Sequence, residues 1–208
     1  MSGGLSVQVQ EQVKRGVAIL QKGGVIAFPT DTVYALAAAF DDAGAVERIY
    51  NLKQRPHDKA FPLLAADESQ LEEITAEISP AARLLIKKIT LGELTLVLKK
   101  AMAVPEIVTG GADTVAVRIP AHPVAQAIVK GLGKPVIGTS TNISGKKSAL
   151  TAEDVHSQFG DNLDLIIDGE CSGGVASTIV DVSGASPKIL REGAISRRRL
   201  AKIIDIKE

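Results

Sequence analysis

Between Gly23 and Pro56 the chain changes character abruptly, and that change limits what it can fold into. Gly23-Gly24 opens onto four apolar residues, Val25–Phe28, and Pro29 stops them. Such a run reads as a buried strand that empties into a loop. The loop carries hydroxyls and one carboxylate, Thr30-Asp31-Thr32, followed by Val33-Tyr34. A helical segment then ends in Lys53-Gln54-Arg55-Pro56. Hydroxyls from a strand end and cations from a helix end, brought together, suit a phosphate-bearing small molecule.

The rest of the chain repeats this alternation. Val9, Val13, Val17 and Leu20 have helical spacing, with glycines as the stop. Asp42 can cap a helix over Ala43–Gln54 that presents Val46, Ile49 and Leu52 on one face. Further helices are predicted over Glu68–Glu77, Pro80–Ile89 and Pro123–Lys130, from Thr151 onward, and over the tail Ser196–Ile204. A short turn or helix falls near Pro105–Val108. Strands are predicted over Phe61–Ala65, Leu94–Leu98, Thr114–Ile119, Pro135–Thr139, Leu165–Ile167, Ser177–Val182 and Lys188–Arg191. Val33–Phe40 reads as either helix or strand. The pattern predicts an α/β fold with a mixed sheet, because the last three strands lack intervening helices. At 208 residues, with 45% hydrophobic residues, one domain is expected, with its core over about residues 10–193 and a helical tail over 194–208.

Charge narrows the function. Twenty-four basic and 24 acidic residues cancel, so positive potential must be local. The aromatic content of 3% disfavours a base-stacking nucleic-acid binder. One cysteine, Cys171, excludes an internal disulfide and fits a reducing, cytoplasmic setting. Cys171 has no recognisable activating context and reads as a passive thiol. His57, His122 and His156 lack metal-ligand spacing, and no metal site is expected. The longest apolar run, Val33–Phe40, is far too short to span a membrane.

Three elements occur in order: Pro29-Thr30-Asp31-Thr32-Val33-Tyr34, Lys53-Gln54-Arg55-Pro56 and Ser140-Thr141-Asn142-Ile143-Ser144-Gly145. Together they resemble the YrdC-like family of threonylcarbamoyl-AMP synthases, whose hallmarks include the lysine-x-arginine and serine-x-asparagine elements. The resemblance runs from about Gly23 to Gly193. It implies an open, twisted α/β sheet with a concave active face. It further implies synthesis of L-threonylcarbamoyl-AMP from L-threonine, bicarbonate or CO₂, and ATP with Mg²⁺. Pyrophosphate leaves, and a separate threonylcarbamoyl transferase then modifies tRNA; direct tRNA contact stays open.

By resemblance Lys53, Arg55, Lys59, Thr114, Asn142 and Arg191 bind ATP, while Thr32, Arg118, Ser140 and Ser177 bind L-threonine. No catalytic general base is identifiable. The residues alone leave other readings open at each position. Lys53 and Arg55 also suit a helix C-terminus, Arg118 a structural ion pair, and the hydroxyl loops plain turns. Two alternatives remain in view: an RNA-binding module, and a paralogue of the same fold that has lost synthesis. The chain departs from the family pattern at Ala35, usually glycine, and at Leu91-Gly92-Glu93, usually proline-glycine-proline. Both departures bear on the substrate loops.

Overall fold

In a computed structural model, residues 5–89, 92–171, 173 and 175–206 are described. Leu91, from one of the stretches above, lies outside them. The chain begins with helix α1 (Val7–Leu20), whose first turn is closed by Ser6 Oγ accepting from Val9 N at 3.3 Å. Strands β1 (Ile26–Phe28) and β2 (Ala35–Ala37) follow, pairing antiparallel. The ambiguous 33–40 run is therefore a strand at its centre. Asp42 caps helix α2 (Ala43–Lys53), and Gln54 ends it in the left-handed conformation.

Strand β3 (Leu63–Leu64), helices α3 (Glu68–Ile74) and α4 (Pro80–Lys88), strand β4 (Leu94–Lys99), helix α5 (Glu106–Thr109), strand β5 (Thr114–Arg118) and helix α6 (Pro123–Leu132) come next. Strands β6 (Val136–Ile137) and β7 (Thr139–Ser140), helix α7 (Ala152–Phe159) and strands β8 (Leu165–Ile166), β9 (Thr178–Asp181) and β10 (Lys188–Arg191) complete the sheets. Among the described residues the tail holds only a one-turn helix, α8 (Arg197–Leu200), not the longer helix expected. It is nonetheless tied down, since Ile195, Leu200 and Ile204 are buried in the main core.

The expected mixed sheet is two sheets among the described residues. One has the order β7-β2-β1-β8; the other runs β10-β9-β4-β5-β3-β6. The second mixes parallel pairs, β3 with β5 and β4 with β9, with antiparallel ones. The physical reason for two sheets lies in the predicted strand Pro135–Thr139. It breaks at Gly138, so that β6 pairs with β3 in one sheet and β7 with β2 in the other. A Cβ at Gly138 would stand 2.1 Å from Leu64 Cγ, so only glycine fits the crossing point.

Two apolar cores flank this arrangement. One gathers Ile49, Tyr50, Phe61, Leu96 and Val117 with the α3 and α4 faces. The other packs α1 on α6 through Leu20, Ile128 and Val129 against Ile26 and Phe28 of β1. Aliphatic side chains dominate both, as the low aromatic content requires. No described helix is long and apolar enough to cross a membrane.

Candidate active site

A cavity of about 540 Å³ opens where the two sheets meet. Thr32 follows β1; Ala116 and Arg118 share one face of β5. Gly138, Thr139 and Ser140 come from the crossing segment, and Ser177 and Arg191 from the β9–β10 hairpin. Four cations line it, Arg55, Arg118, Lys147 and Arg191, and none of the described lining residues is acidic. In a chain of zero net charge, the local positive potential expected from the sequence is concentrated here.

The loop after β1 is folded by its own hydroxyls. Thr30 Oγ1 accepts from Thr32 N at 3.1 Å and donates to Val33 O at 2.7 Å. This turn sets Thr32 Oγ1 to accept from Arg118 Nη1 at 2.9 Å, while Arg118 Nη2 donates to Asp31 Oδ2 at 2.6 Å. Asp31 Oδ1 also accepts from Ala121 N. The Arg118 and Asp31 side chains are only 11% and 13% exposed, so the ion pair is largely desolvated. Arg118 Nε is buried with no acceptor. A buried N–H without a partner is costly, and here it belongs to the guanidinium that lines the cavity.

A second cluster lies close by. Thr95 Oγ1 and Ser177 Oγ share a hydrogen bond of 2.8 Å, and Arg191 donates through Nε and Nη2 to Ser177 O at 3.2 and 2.8 Å. Burial and then the Arg118 charge lower the Arg191 pKa, so the two guanidinium groups sense one another. Glu192 is no partner for Arg191; its Oε1 accepts from Arg197 N instead. Arg55 stacks over Phe61, with its guanidinium carbon 5.1 Å from the ring centre. It is fixed by donation to the carbonyls of Lys59 and Ala60.

Thr32, Arg55, Arg118, Ser140, Ser177 and Arg191 thus converge on one cavity; Lys53, Lys59, Thr114 and Asn142 do not line it. Lys53 is 1% exposed and points inward. Its Nζ donates to Ser140 O, to Asn142 O at 2.9 Å and to Asn142 Oδ1 at 3.3 Å. Burial, then the Arg55 charge, pulls its pKa down to about 7. Three carbonyl oxygens nevertheless match the three N–H bonds of the ammonium form. The lysine therefore ties the end of α2 to the serine-x-asparagine loop and does not face the cavity.

Its inward turn follows from helix geometry. The buried face of α2 is Ala45, Val46, Ile49, Tyr50 and Lys53, whereas Leu52 is only partly buried. Val46, Ile49 or Tyr50, and Lys53 are the true 3–4 series, a signal present in the sequence. Asn142 acts within its loop, accepting from Ser140 Oγ at 2.6 Å. Lys59 contributes its carbonyl to Arg55 and Tyr50. Thr114 shares a β5 face with Ala116 and Arg118, but it lies four residues from Arg118, about 13 Å along an extended strand.

Thr95, Lys147 and Ser148 line the cavity without having been expected. Thr95 stood at the start of a recognised strand; no pattern marked the two loop residues. The departure at Ala35 is harmless to the backbone. It sits in β2, and Gln54 is the one non-glycine with positive φ among the described residues. In the second stretch it is the glycine, which the family pattern keeps, that has structural content. Gly92 has φ +106°, and a Cβ there would stand 2.2 Å from Asp31 Oδ2. Its glycine keeps room for the carboxylate that holds Arg118. Among the described residues no group of three or more His, Cys, Asp or Glu could hold a metal ion.

Comparison with known proteins gives a consistent result. The Sua5/YciO/YrdC family model, described as telomere recombination, matches residues 18–193. A threonylcarbamoyl-AMP synthase of Pyrococcus abyssi is 40% identical over 194 residues, 93% of this chain and 57% of the relative. One from Idiomarina loihiensis is 37% identical over 175 residues, 83% of this chain and 94% of the relative. The chain thus spans little more than half of the first of these. The crystal structure of P. abyssi Sua5 complexed with L-threonine matches with a TM-score of 0.90 at 40% identity, over 93% of this chain and 57% of that one. Escherichia coli YciO matches with a TM-score of 0.83 at 32% identity, over 92% and 93%. With its cavity between two sheets, its ordered motifs and these matches, the chain belongs to the Sua5/YciO/YrdC family.

Proposed function

We propose that this chain is an ATP-dependent enzyme that makes L-threonylcarbamoyl-AMP from L-threonine, bicarbonate or CO₂, and ATP, within one domain that spans the chain. The neutral amine of threonine adds to CO₂: the N–C bond forms as a C=O π pair shifts to oxygen, and the amine proton passes to solvent, leaving a carbamate. A carbamate oxygen attacks the α-phosphorus, and pyrophosphate leaves: a nucleotidyl transfer. The product would pass to a separate transferase that modifies tRNA. The single observation that carries this reading is the cavity lined by four cations, Arg55, Arg118, Lys147 and Arg191, with no acidic residue among its described lining.

Arg118, with one N–H of each terminal nitrogen already given to Thr32 and Asp31, would offer its remaining terminal N–H groups to a substrate carboxylate. Ser140 and Ser177 offer hydroxyls to the amino acid. Arg55 and Arg191 would spread the charge of the phosphates, whose stabilisation dominates phosphoryl chemistry. Lys53 and Asn142 would support the site through the loop they hold, while Lys59 and Thr114 would lie at its margin. Mg²⁺ would arrive on the phosphates of ATP, since the described residues offer no carboxylate cluster for it. No side chain is assigned as general base: solvent would take the amine proton, and placement would supply roughly 7–11 kcal/mol of the barrier. A cytoplasmic location suits the single unpaired cysteine.

The test is pyrophosphate release with ATP, omitting threonine or bicarbonate in turn. Release that requires both, and that Arg55→Ala abolishes, supports the reading. Release independent of threonine, or tRNA binding without turnover, refutes it.

A further inference from the structure

The loop after β7 contributes more to the cavity lining than Ser140 of its serine-x-asparagine element. Lys147 and Ser148 line the same space as Arg55, Arg118 and Arg191. The main chain on both sides of Lys147 is anchored. Asn142 Nδ2 donates to Ile143 O at 3.0 Å and to Lys146 O at 2.8 Å. Gln158 Nε2 donates to Lys147 O at 3.2 Å, and Ala149 N to Thr141 O at 3.0 Å.

The Lys147 side chain is not tethered in the same way. Among the described residues its ammonium forms no ion pair or hydrogen bond. Asp154 senses its charge, but that carboxylate is already committed to the N–H groups of Leu150 and Thr151 at the start of α7. A compact cation on a fixed backbone borders a space whose described lining holds no acid, which suits an anion.

We infer that Lys147 is a further phosphate-binding residue of this cavity, presented by the loop that Asn142 and Gln158 pin. The inference rests on the cavity taking a nucleotide polyphosphate. It gives Asn142 a role as a positioning residue, acting through the backbone at Lys146 and not by touching the ligand.

Inorganic tripolyphosphate tests this without turnover. Its affinity for the full chain is measured by calorimetry at low and high salt, for wild type, Lys147→Ala, Lys147→Arg and the remote control Lys14→Ala. One charge-assisted contact predicts about tenfold weaker binding for Lys147→Ala, with Lys147→Arg within about twofold of wild type. Lys14→Ala is expected to match wild type, and the alanine variant at 147 to show a shallower dependence on salt. Equal affinity of Lys147→Ala and wild type overturns the inference, as does wild type that binds no tripolyphosphate. The synthesis reading fails separately: Lys147-dependent tripolyphosphate binding, with no pyrophosphate released from ATP, threonine and bicarbonate, sinks that reading and leaves Lys147 in place.

Discussion

Truncating Asp31 isolates what the Arg118 pair contributes. Asp31→Ala leaves a guanidinium 11% exposed, with Nη2 deprived of its 2.6 Å acceptor and Nε already without one. Two unit charges about 4 Å apart at an effective dielectric of 20 attract by about 4 kcal/mol. The pair borders an open cavity, so water screens part of this; about 2–3 kcal/mol of coupling is expected. For a chain of this size that corresponds to a fall in Tm of about 5–10 °C. The assay is urea unfolding of wild type, Asp31→Ala, Arg118→Met and the double variant. Arg118→Met keeps the aliphatic volume and removes the stranded charge, so the double variant should be more stable than Asp31→Ala alone. Coupling below about 0.5 kcal/mol, the additivity of independent sites, refutes the claim that the two residues form one buried unit.

Lys53 makes stability depend on pH. Its folded pKa, near 7, lies below the ordinary 10.5, so between these values the unfolded chain binds the extra proton. The contribution of this residue to stability therefore rises with pH across that window, by at most about 1.4 kcal/mol per pH unit, and is flat below it. Lys53→Met should lack that rise, and a pH-independent difference from wild type would contradict the assignment. Gly92→Ala should displace the Asp31 carboxylate and weaken threonine-dependent pyrophosphate release several-fold; unchanged kcat/KM for threonine counts against a link between the two. Gly138→Ala should cost about 2–4 kcal/mol in urea unfolding, because a methyl 2.1 Å from Leu64 Cγ forces the strands apart. Cys171→Ala should leave pyrophosphate release unaltered, since burial raises the thiol pKa and keeps it unreactive.

Much of this was legible before any coordinates. Asp42 as a cap, Gly23 after α1 and the apolar strand Val25–Phe28 are local signals, and the fold obeys them. The strand face carrying Ala116 and Arg118 followed from a period of two. What failed was non-local. That Gly138 divides one apolar run between two sheets depends on Leu64, a residue far away in sequence. The burial of Lys53 was hard to foresee for a different reason: a cation on a helix end is ordinarily solvated. Only the carbonyls of Ser140 and Asn142, supplied by another loop, make its burial tolerable. Lys147 carried no sequence signal, because its position depends on hydrogen bonds made by Asn142 and Gln158.

The passage of the backbone through Gly138 has a mechanical consequence. Two consecutive dipeptides are woven into separate layers, with a single hydrogen-bearing Cα between them and the cavity wall built on that seam. The seam is stitched from both sides, since Ile137 N also donates to Ala38 O at 2.8 Å and Val136 bridges Ala39, just beyond β2. The wall that carries Gly138, Thr139 and Ser140 is therefore cross-braced between the sheets, and a ligand meets it already set in place.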